Sequence, residues 1–221
     1  MTDQEILSHV DHTLLKPFAS WEEIKKLCDE AVAHKTASVC VPPTYVKRIS
    51  EAYGNNLVIC TVIGFPLGYS TTAAKLMEAK TAIEEGTSEI DMVINITDVK
   101  NKRFVQIEDE ITAIKKECSN HILKVIIETC YLTDEEKITL CGIVTDAGAD
   151  YIKTSTGFGT GGALMADIEL FKKHIGSSVK MKAAGGVKTR EDLEAFINAG
   201  CDRIGTSSAL ALLAGSKSGA Y

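Results

Sequence analysis

The chain lacks a long uncharged apolar run, a paired CxxC motif, an HExxH motif and any surplus of positive charge. Each absence removes a class of function. Without about 18 consecutive apolar residues, no segment can cross a bilayer as a helix. The start, MTDQEILSHVDHTLLKP, carries acidic residues where a secretory leader would carry a basic end and an apolar centre. A formal net charge of −6 argues against nucleic acid or an anionic membrane as main partner. The seven cysteines, Cys28, Cys40, Cys60, Cys118, Cys130, Cys141 and Cys201, are odd in number and scattered. They indicate neither a zinc site nor a disulfide framework, and read as small core residues. A reducing cytoplasm is the expected location. His9, His12, His34, His121 and His174 show no ligand spacing, so a structural or surface role is expected and no catalytic metal. Linkers, low-complexity segments and composition breaks are also missing, which predicts one domain over residues 1–221.

What is present is alternation. Apolar residues make up 45% of 221, enough for a sizeable core. Eight strand-like runs, VDHTLL, ASVCV, LVICTVIGF, EIDMVIN, LKVIIET, YIKTST, VKMKAAG and RIGTS, are separated by helical patterns. Ser20 with Glu23 and Thr133 with Glu136 have capping-box spacing. Gly148 and Gly200 suit positions just past helix ends. AGADYIKTS and AGCDRIGTS suggest a repeated helix–turn–strand unit. Strands alternating with helices imply a parallel sheet, and eight units imply a closed (β/α)8 TIM barrel of α/β class. A doubly wound open sheet is the structural rival. After Leu213 the sequence turns small and polar, so residues from about 215 to 221 are expected to form a flexible tail.

Strand parity predicts which side chains face inward. Ile90, Met92 and Ile94 form one apolar face of EIDMVIN, opposite Glu89, Asp91, Val93 and Asn95. Lys124, Ile126 and Glu128 oppose Leu123, Val125 and Ile127. Tyr151, Lys153 and Ser155 share a face, as do Lys180, Lys182 and Ala184. Cys40 shares its face with Ser38. A strand lysine is ordinarily a rim residue. Here Lys153 and Lys182 fall at the same end of consecutive strands, which lie roughly 5 Å apart. Repulsion and desolvation would both favour a neutral amine, which is nucleophilic towards carbonyls. Asp91 either neutralises a buried lysine or joins Lys182 in a proton relay.

The glycines also have two readings. Gly157, Gly159 and Gly162 fit G-x-G-x-x-G, the dinucleotide pattern, but the next strand ends KAAGG where an acid is needed. Gly185, Gly186, Gly205, Ser207 and Ser208 follow the seventh and eighth strands, where barrels often bind phosphate. Ordinary turn chemistry is the alternative.

Together VDHTLLKP, EIDMVIN, LKVIIET, DYIKTSTGFG, KAAGGVKT, GTSS and the terminal tyrosine resemble the deoxyribose-phosphate aldolase family along nearly the whole chain. That resemblance implies a cofactor-free class I aldolase on a (β/α)8 barrel. Its members reversibly cleave 2-deoxy-D-ribose 5-phosphate to acetaldehyde and D-glyceraldehyde 3-phosphate. It implies that Lys153 forms the Schiff base, Lys182 tunes it, and Asp91 relays protons. It places Asp11, Thr13, Cys40, Lys124 and Thr156 near substrate, and Gly157, Gly185, Gly186, Ser207 and Ser208 at its phosphate. Tyr221 would act at C2. The family often has Arg where this chain has Lys188. The expected partners are small phosphorylated sugars and aldehydes, neither nucleic acid nor membrane, with a homodimer as the assembly. The rival functions are another Schiff-base aldolase or transaldolase, a phosphometabolite-binding protein, and a dinucleotide-dependent oxidoreductase.

Overall fold

In the computed structural model of the chain, which describes residues 1–215, each apolar run contains one strand, and each strand leads into a helix. The strands are β1 (Val10–Thr13), β2 (Ser38–Val41), β3 (Ile59–Ile63), β4 (Glu89–Val93), β5 (Ile122–Ile126), β6 (Tyr151–Lys153), β7 (Lys180–Ala184) and β8 (Arg203–Thr206). All neighbours are parallel, and β1 pairs with β8 as well as β2, so the sheet closes into a barrel. The open doubly wound sheet is thereby excluded.

The helices are α1 (Asp3–Leu7), α2 (Trp21–His34), α3 (Val46–Tyr53), α4 (Thr72–Glu84), α5 (Ile96–Lys100), α6 (Phe104–Glu117), α7 (Asp134–Asp146), α8 (Met165–His174), α9 (Arg190–Ala199) and α10 (Ala209–Leu213). Their limits follow local chemistry. Both expected capping boxes form, at the starts of α2 and α7, and satisfy amides that have no partner inside the helix. Gly148 at φ +73° and Gly200 at φ +109° take the left-handed conformation that ends α7 and α9. No helix among the described residues is long and apolar enough to cross a membrane.

The main apolar core lies between barrel and helices. Ile90, Met92, Leu123, Val125, Ile152, Met181 and Ala183 point outward from the strands into it. Helical Ile107, Ile111, Leu140, Val144, Phe171 and Leu193 meet them there. Burying each such side chain favours folding by about 1.5–3 kcal/mol. The opposite faces of the same strands hold Asp11, Glu89, Asp91, Lys124, Lys153 and Lys182, all buried. Two parity expectations change at strand ends. Lys180 opens β7 and is exposed, while Asn95, beyond β4, caps α5. Lys180 precedes the buried stretch of β7, and Asn95 lies past the last paired residue of β4, so neither is aimed into the barrel.

One charged pair sits outside the barrel and is equally buried. Lys75 of α4 donates to Glu110 of α6 at 2.8 Å and to the backbone oxygen of Val93 at 2.8 Å. Burial pushes the Lys75 pKa down, and Glu110 opposes that shift. Gly64 leaves room for this lysine, because a Cβ there would stand 2.6 Å from Lys75 Cε. The pair thus ties two helices to the catalytic-side end of β4. Removing one partner of a buried pair strands the other charge, so Lys75→Ala should cost about 3–5 kcal/mol in urea denaturation. Lys75→Met with Glu110→Leu should recover most of that loss, whereas a double variant no more stable than the single one would contradict this account.

Candidate active site

Register brings the site together. Lys153 of β6 lies level with Lys182 of β7, and Asp91 of β4 lies level with Lys124 of β5. Across the interior, Asp91 Oδ2 accepts from Lys153 Nζ and from Lys182 Nζ, each at 2.7 Å. Its other oxygen, Oδ1, accepts from Lys124 at 2.9 Å and from the Cys60 thiol at 3.1 Å. Lys182 also meets Asp11 Oδ2 at 2.5 Å, and Lys124 meets Glu89 at 2.6 Å. Arg203 completes the lower layer, bonding Asp11 at 2.8 Å and Glu89 at 3.0 Å. Three carboxylates therefore face Lys124, Lys182 and Arg203, and Lys153 is the fourth cation-forming group.

The field in this cluster is set by pairing. Burial alone would raise the Asp91 and Asp11 pKa values, but the adjacent cations hold both carboxyls well below the usual range. Burial alone would also neutralise Lys182, yet Asp11 and Asp91 hold it above the ordinary lysine value. Lys124 is raised likewise, chiefly by Asp91. The expectation of two ammonium groups repelling each other thus needs amendment. A shared carboxylate oxygen stands between them, and Lys182 remains a cation. Burial and its bond to Cys40 push the Cys60 thiol up, while the same bond brings Cys40 down. Cys40, Cys60 and Asp91 place ligand atoms within 4.8 Å of one another. A cation there would have to displace three lysines from Asp91, so the donor set does not fit a resident metal.

Above the cluster lies a cavity of about 240 Å³. Lys153 is the one amine of the cluster on its wall; Lys124 and Lys182 are fully buried beneath. Thr13 and Thr156 also line it, together with Gly157, Gly185, Gly186, Ser207, Ser208 and Lys188. The glycines answer to geometry. Gly185 and Gly186 have φ of +76° and +75°, and a Cβ on Gly162 would stand 2.5 Å from the Gly185 carbonyl carbon. The amide of Ala163 donates to the Ala184 and Gly185 oxygens at 3.1 Å, pinning the loop after β6 across the end of β7. That loop runs on to Leu164 before α8 begins, so its third glycine does not open a helix as a dinucleotide fingerprint requires. Phe158, also on the wall, packs edge-on against Phe65 with ring centroids 5.3 Å apart.

Asp11, Cys40 and Lys124, expected near substrate, are buried and do not line the cavity; Asp11 and Lys124 pair with Lys182 and Asp91, and Cys40 meets Cys60. Tyr221 lies outside the described residues, as does most of the expected tail. Sequence reasoning passed over Glu89 and Arg203 as site residues, although inward parity marks Glu89 and would have pointed Arg203 inward at the head of RIGTS. Cys60 was hidden among the other core thiols. Glu128 was placed inward, but no pattern announced its left-handed backbone at φ +54°.

The family described as DeoC/LacD family aldolase matches residues 3–217. A curated deoxyribose-phosphate aldolase of Clostridium botulinum is 63% identical over 221 residues, covering 100% of both chains. One from Clostridioides difficile is 60% identical over 210 residues, covering 95% of this chain and 96% of its own. Among solved structures, a putative deoxyribose-phosphate aldolase from Coccidioides immitis superposes with a TM-score of 0.93 at 37% identity, covering 97% of this chain and 87% of that one. A tetrameric deoxyribose phosphate aldolase from Aeropyrum pernix gives 0.89 at 32% identity, covering 96% and 91%.

The lowered Asp11 pKa sets a pH window for stability. A carboxylate held below its unfolded value of about 3.9 contributes fully above that pH and ceases to contribute as pH falls through its folded value. The urea-midpoint difference between wild type and Asp11→Asn should therefore be constant from about pH 5 to 9 and shrink below about pH 4. A difference that persists undiminished at pH 2.5 would show that the lost charge is not what the substitution removes.

Proposed function

The chain belongs to the DeoC/LacD family of aldolases, and on that premise we propose that it is a deoxyribose-phosphate aldolase working through a Schiff base on Lys153. The chemistry is the reversible cleavage of 2-deoxy-D-ribose 5-phosphate to acetaldehyde and D-glyceraldehyde 3-phosphate. One observation carries the assignment of the nucleophile: of the three lysines on Asp91, Lys153 alone borders the cavity.

Lys153 stands on the cavity wall, within reach of an aldehyde that enters it. The Lys153 amine adds to the open-chain aldehyde carbon, and the carbinolamine loses water to give an iminium. A base takes the C3 hydroxyl proton. The C2–C3 bond breaks, its electron pair flows towards the iminium nitrogen, and glyceraldehyde 3-phosphate departs. Protonation of the remaining enamine at C2 and addition of water then release acetaldehyde and restore the lysine. Asp91 touches both Lys153 and Lys182, so protons can pass between the two amines, or between an amine and a water, without either carboxylate or ammonium leaving its place. Lys182 adds positive charge near Lys153, which favours electron flow towards the iminium nitrogen and its conversion to the neutral enamine.

The phosphate is proposed to sit against Gly157, Gly185, Gly186, Ser207 and Ser208, where close backbone approach suits an anion. Thr13, Thr156 and Lys188 share that wall. Binding the phosphate remote from the reacting carbons orients the aldehyde towards Lys153. Asp11 and Lys124 act through Lys182 and Asp91, and Cys40 through Cys60, which donates to Asp91. A homodimer is the assembly proposed with this reading, and light scattering measures it directly.

Borohydride added with acetaldehyde should fix a two-carbon adduct on Lys153, read by peptide mass mapping. An adduct confined to Lys182 or Lys124 would reassign the nucleophile, and no adduct at all would remove the Schiff-base reading. Lys182→Met should lower kcat by at least about 10²-fold, the scale on which a positioned proton donor acts. Turnover within a factor of two of wild type would deny Lys182 that part.

A further inference from the structure

Glu128 takes no part in the steps above, yet it is one of the least ordinary residues of the chain. It follows β5, it is buried, and its backbone is left-handed at φ +54° without being glycine. Such conformations cluster where surrounding structure has a use for them. Here the strand pairing brackets the residue. Ile127 donates its amide to the Lys153 oxygen at 3.1 Å, and Thr129 donates to the Thr154 oxygen at 2.9 Å. Glu128 lies between those two rungs, so the turn in its backbone redirects the side chain while β5 stays paired with the strand that bears the proposed nucleophile.

The side chain is directed at one residue. Its carboxylate accepts the Thr156 amide at 3.1 Å through Oε1 and the Thr156 hydroxyl through Oε2. The same Thr156 hydroxyl oxygen accepts the Phe158 amide at 3.0 Å. A single carboxylate thus fixes the turn from Thr156 to Phe158. The next residue confirms how closely the turn rests on it. A Cβ on Gly159 would lie 3.1 Å from Glu128 Cδ and 3.0 Å from Cys130 Sγ. Thr156, Gly157, Phe158 and Gly159 all line the cavity, and Glu128 does not. Burial raises its pKa, and the two Thr156 bonds and Lys153 oppose that rise.

We propose that Glu128 is a positioning residue for substrate phosphate, holding the turn 156–159 in the shape that receives the anion. This rests on the aldolase reading, in which that turn borders the phosphate. Glu128 touches no reacting atom; it acts through Thr156. An acidic side chain next to an anion site would oppose binding if exposed to it. Spent on the Thr156 amide and hydroxyl, it instead fixes the loop from below.

The test compares Glu128→Ala with Glu128→Gln, which keeps an acceptor oxygen at the same reach. Hydrogen–deuterium exchange across residues 156–159 should rise about tenfold in the alanine variant and stay within about threefold of wild type in the glutamine variant. The kcat/KM ratio of 2-deoxyribose 5-phosphate over unphosphorylated 2-deoxyribose should fall at least fivefold in Glu128→Ala, mainly through KM for the phosphorylated sugar, with glutamine restoring most of it. Unchanged exchange overturns the proposal, and so does raised exchange with an unaltered ratio. If the alanine variant does not fold, Glu128→Asp, one methylene short of Thr156, carries the same comparison. Wild-type protein that cleaves neither sugar refutes the aldolase reading instead, and exchange across the turn then decides alone whether Glu128 holds it.

Discussion

One carboxylate oxygen, Asp91 Oδ2, receives two lysines from consecutive strands at 2.7 Å each, and much of the barrel interior is arranged around that contact. Two lysine side chains level in one barrel layer are accommodated here by negative charge between them. Asp91 supplies it from across the barrel, and a carboxylate so placed needs further cations to stay ionised out of water. Lys124 meets that need and brings Glu89, Lys182 brings Asp11, and Arg203 binds Asp11 and Glu89 together. Charge takes interior positions that other barrels fill with Val, Ile and Leu, beside the Val93 and Ile126 that remain there. Such pairs stabilise a fold little compared with apolar packing, because desolvation offsets most of the attraction. Stability comes from the outward faces, where Ile90, Met92, Val125 and Ile152 meet the helices. The same strands therefore separate two tasks by parity, holding the molecule together on one face and doing chemistry on the other.

That separation explains why so much was legible. Period-two patterns with ionisable groups on one face reveal both the strand and its inward side, and Lys153, Lys182 and Asp91 follow directly. The closing of the sheet was legible from the number of units. The depth of each residue was not, because parity gives a direction and no height. Asp11, Cys40 and Lys124 share the inward direction with Lys153 but end below the cavity. Nor does parity tell where the barrel interior stops: Lys180 turns to solvent and Asn95 becomes a helix cap, whereas Glu89 and Lys153, also at strand ends, stay inside. Glu128 shows the remaining gap. A left-handed glutamate has no sequence signature, since its conformation is imposed by the rungs on either side.

Depth also decides why two lysines at one register level have different surroundings. Lys153 and Lys182 are paired in the sheet, yet Lys153 reaches the cavity wall and Lys182 does not. The next strand leaves room beside Lys182. Gly205 has no side chain, and a Cβ there would stand 3.2 Å from Lys182 Cε. The Lys182 chain leans through that gap towards β8 and β1, where Asp11 meets its ammonium at 2.5 Å. Lys153 has no second carboxylate within ion-pair reach among the described residues, so Asp91 is its one anchor. Lys182 is engaged by two carboxylates, whereas Lys153 is engaged by one and stands at the edge of the cavity. The glycine on β8 thus leaves space along which the Lys182 chain reaches Asp11, and two lysines level in the sheet end with different partners.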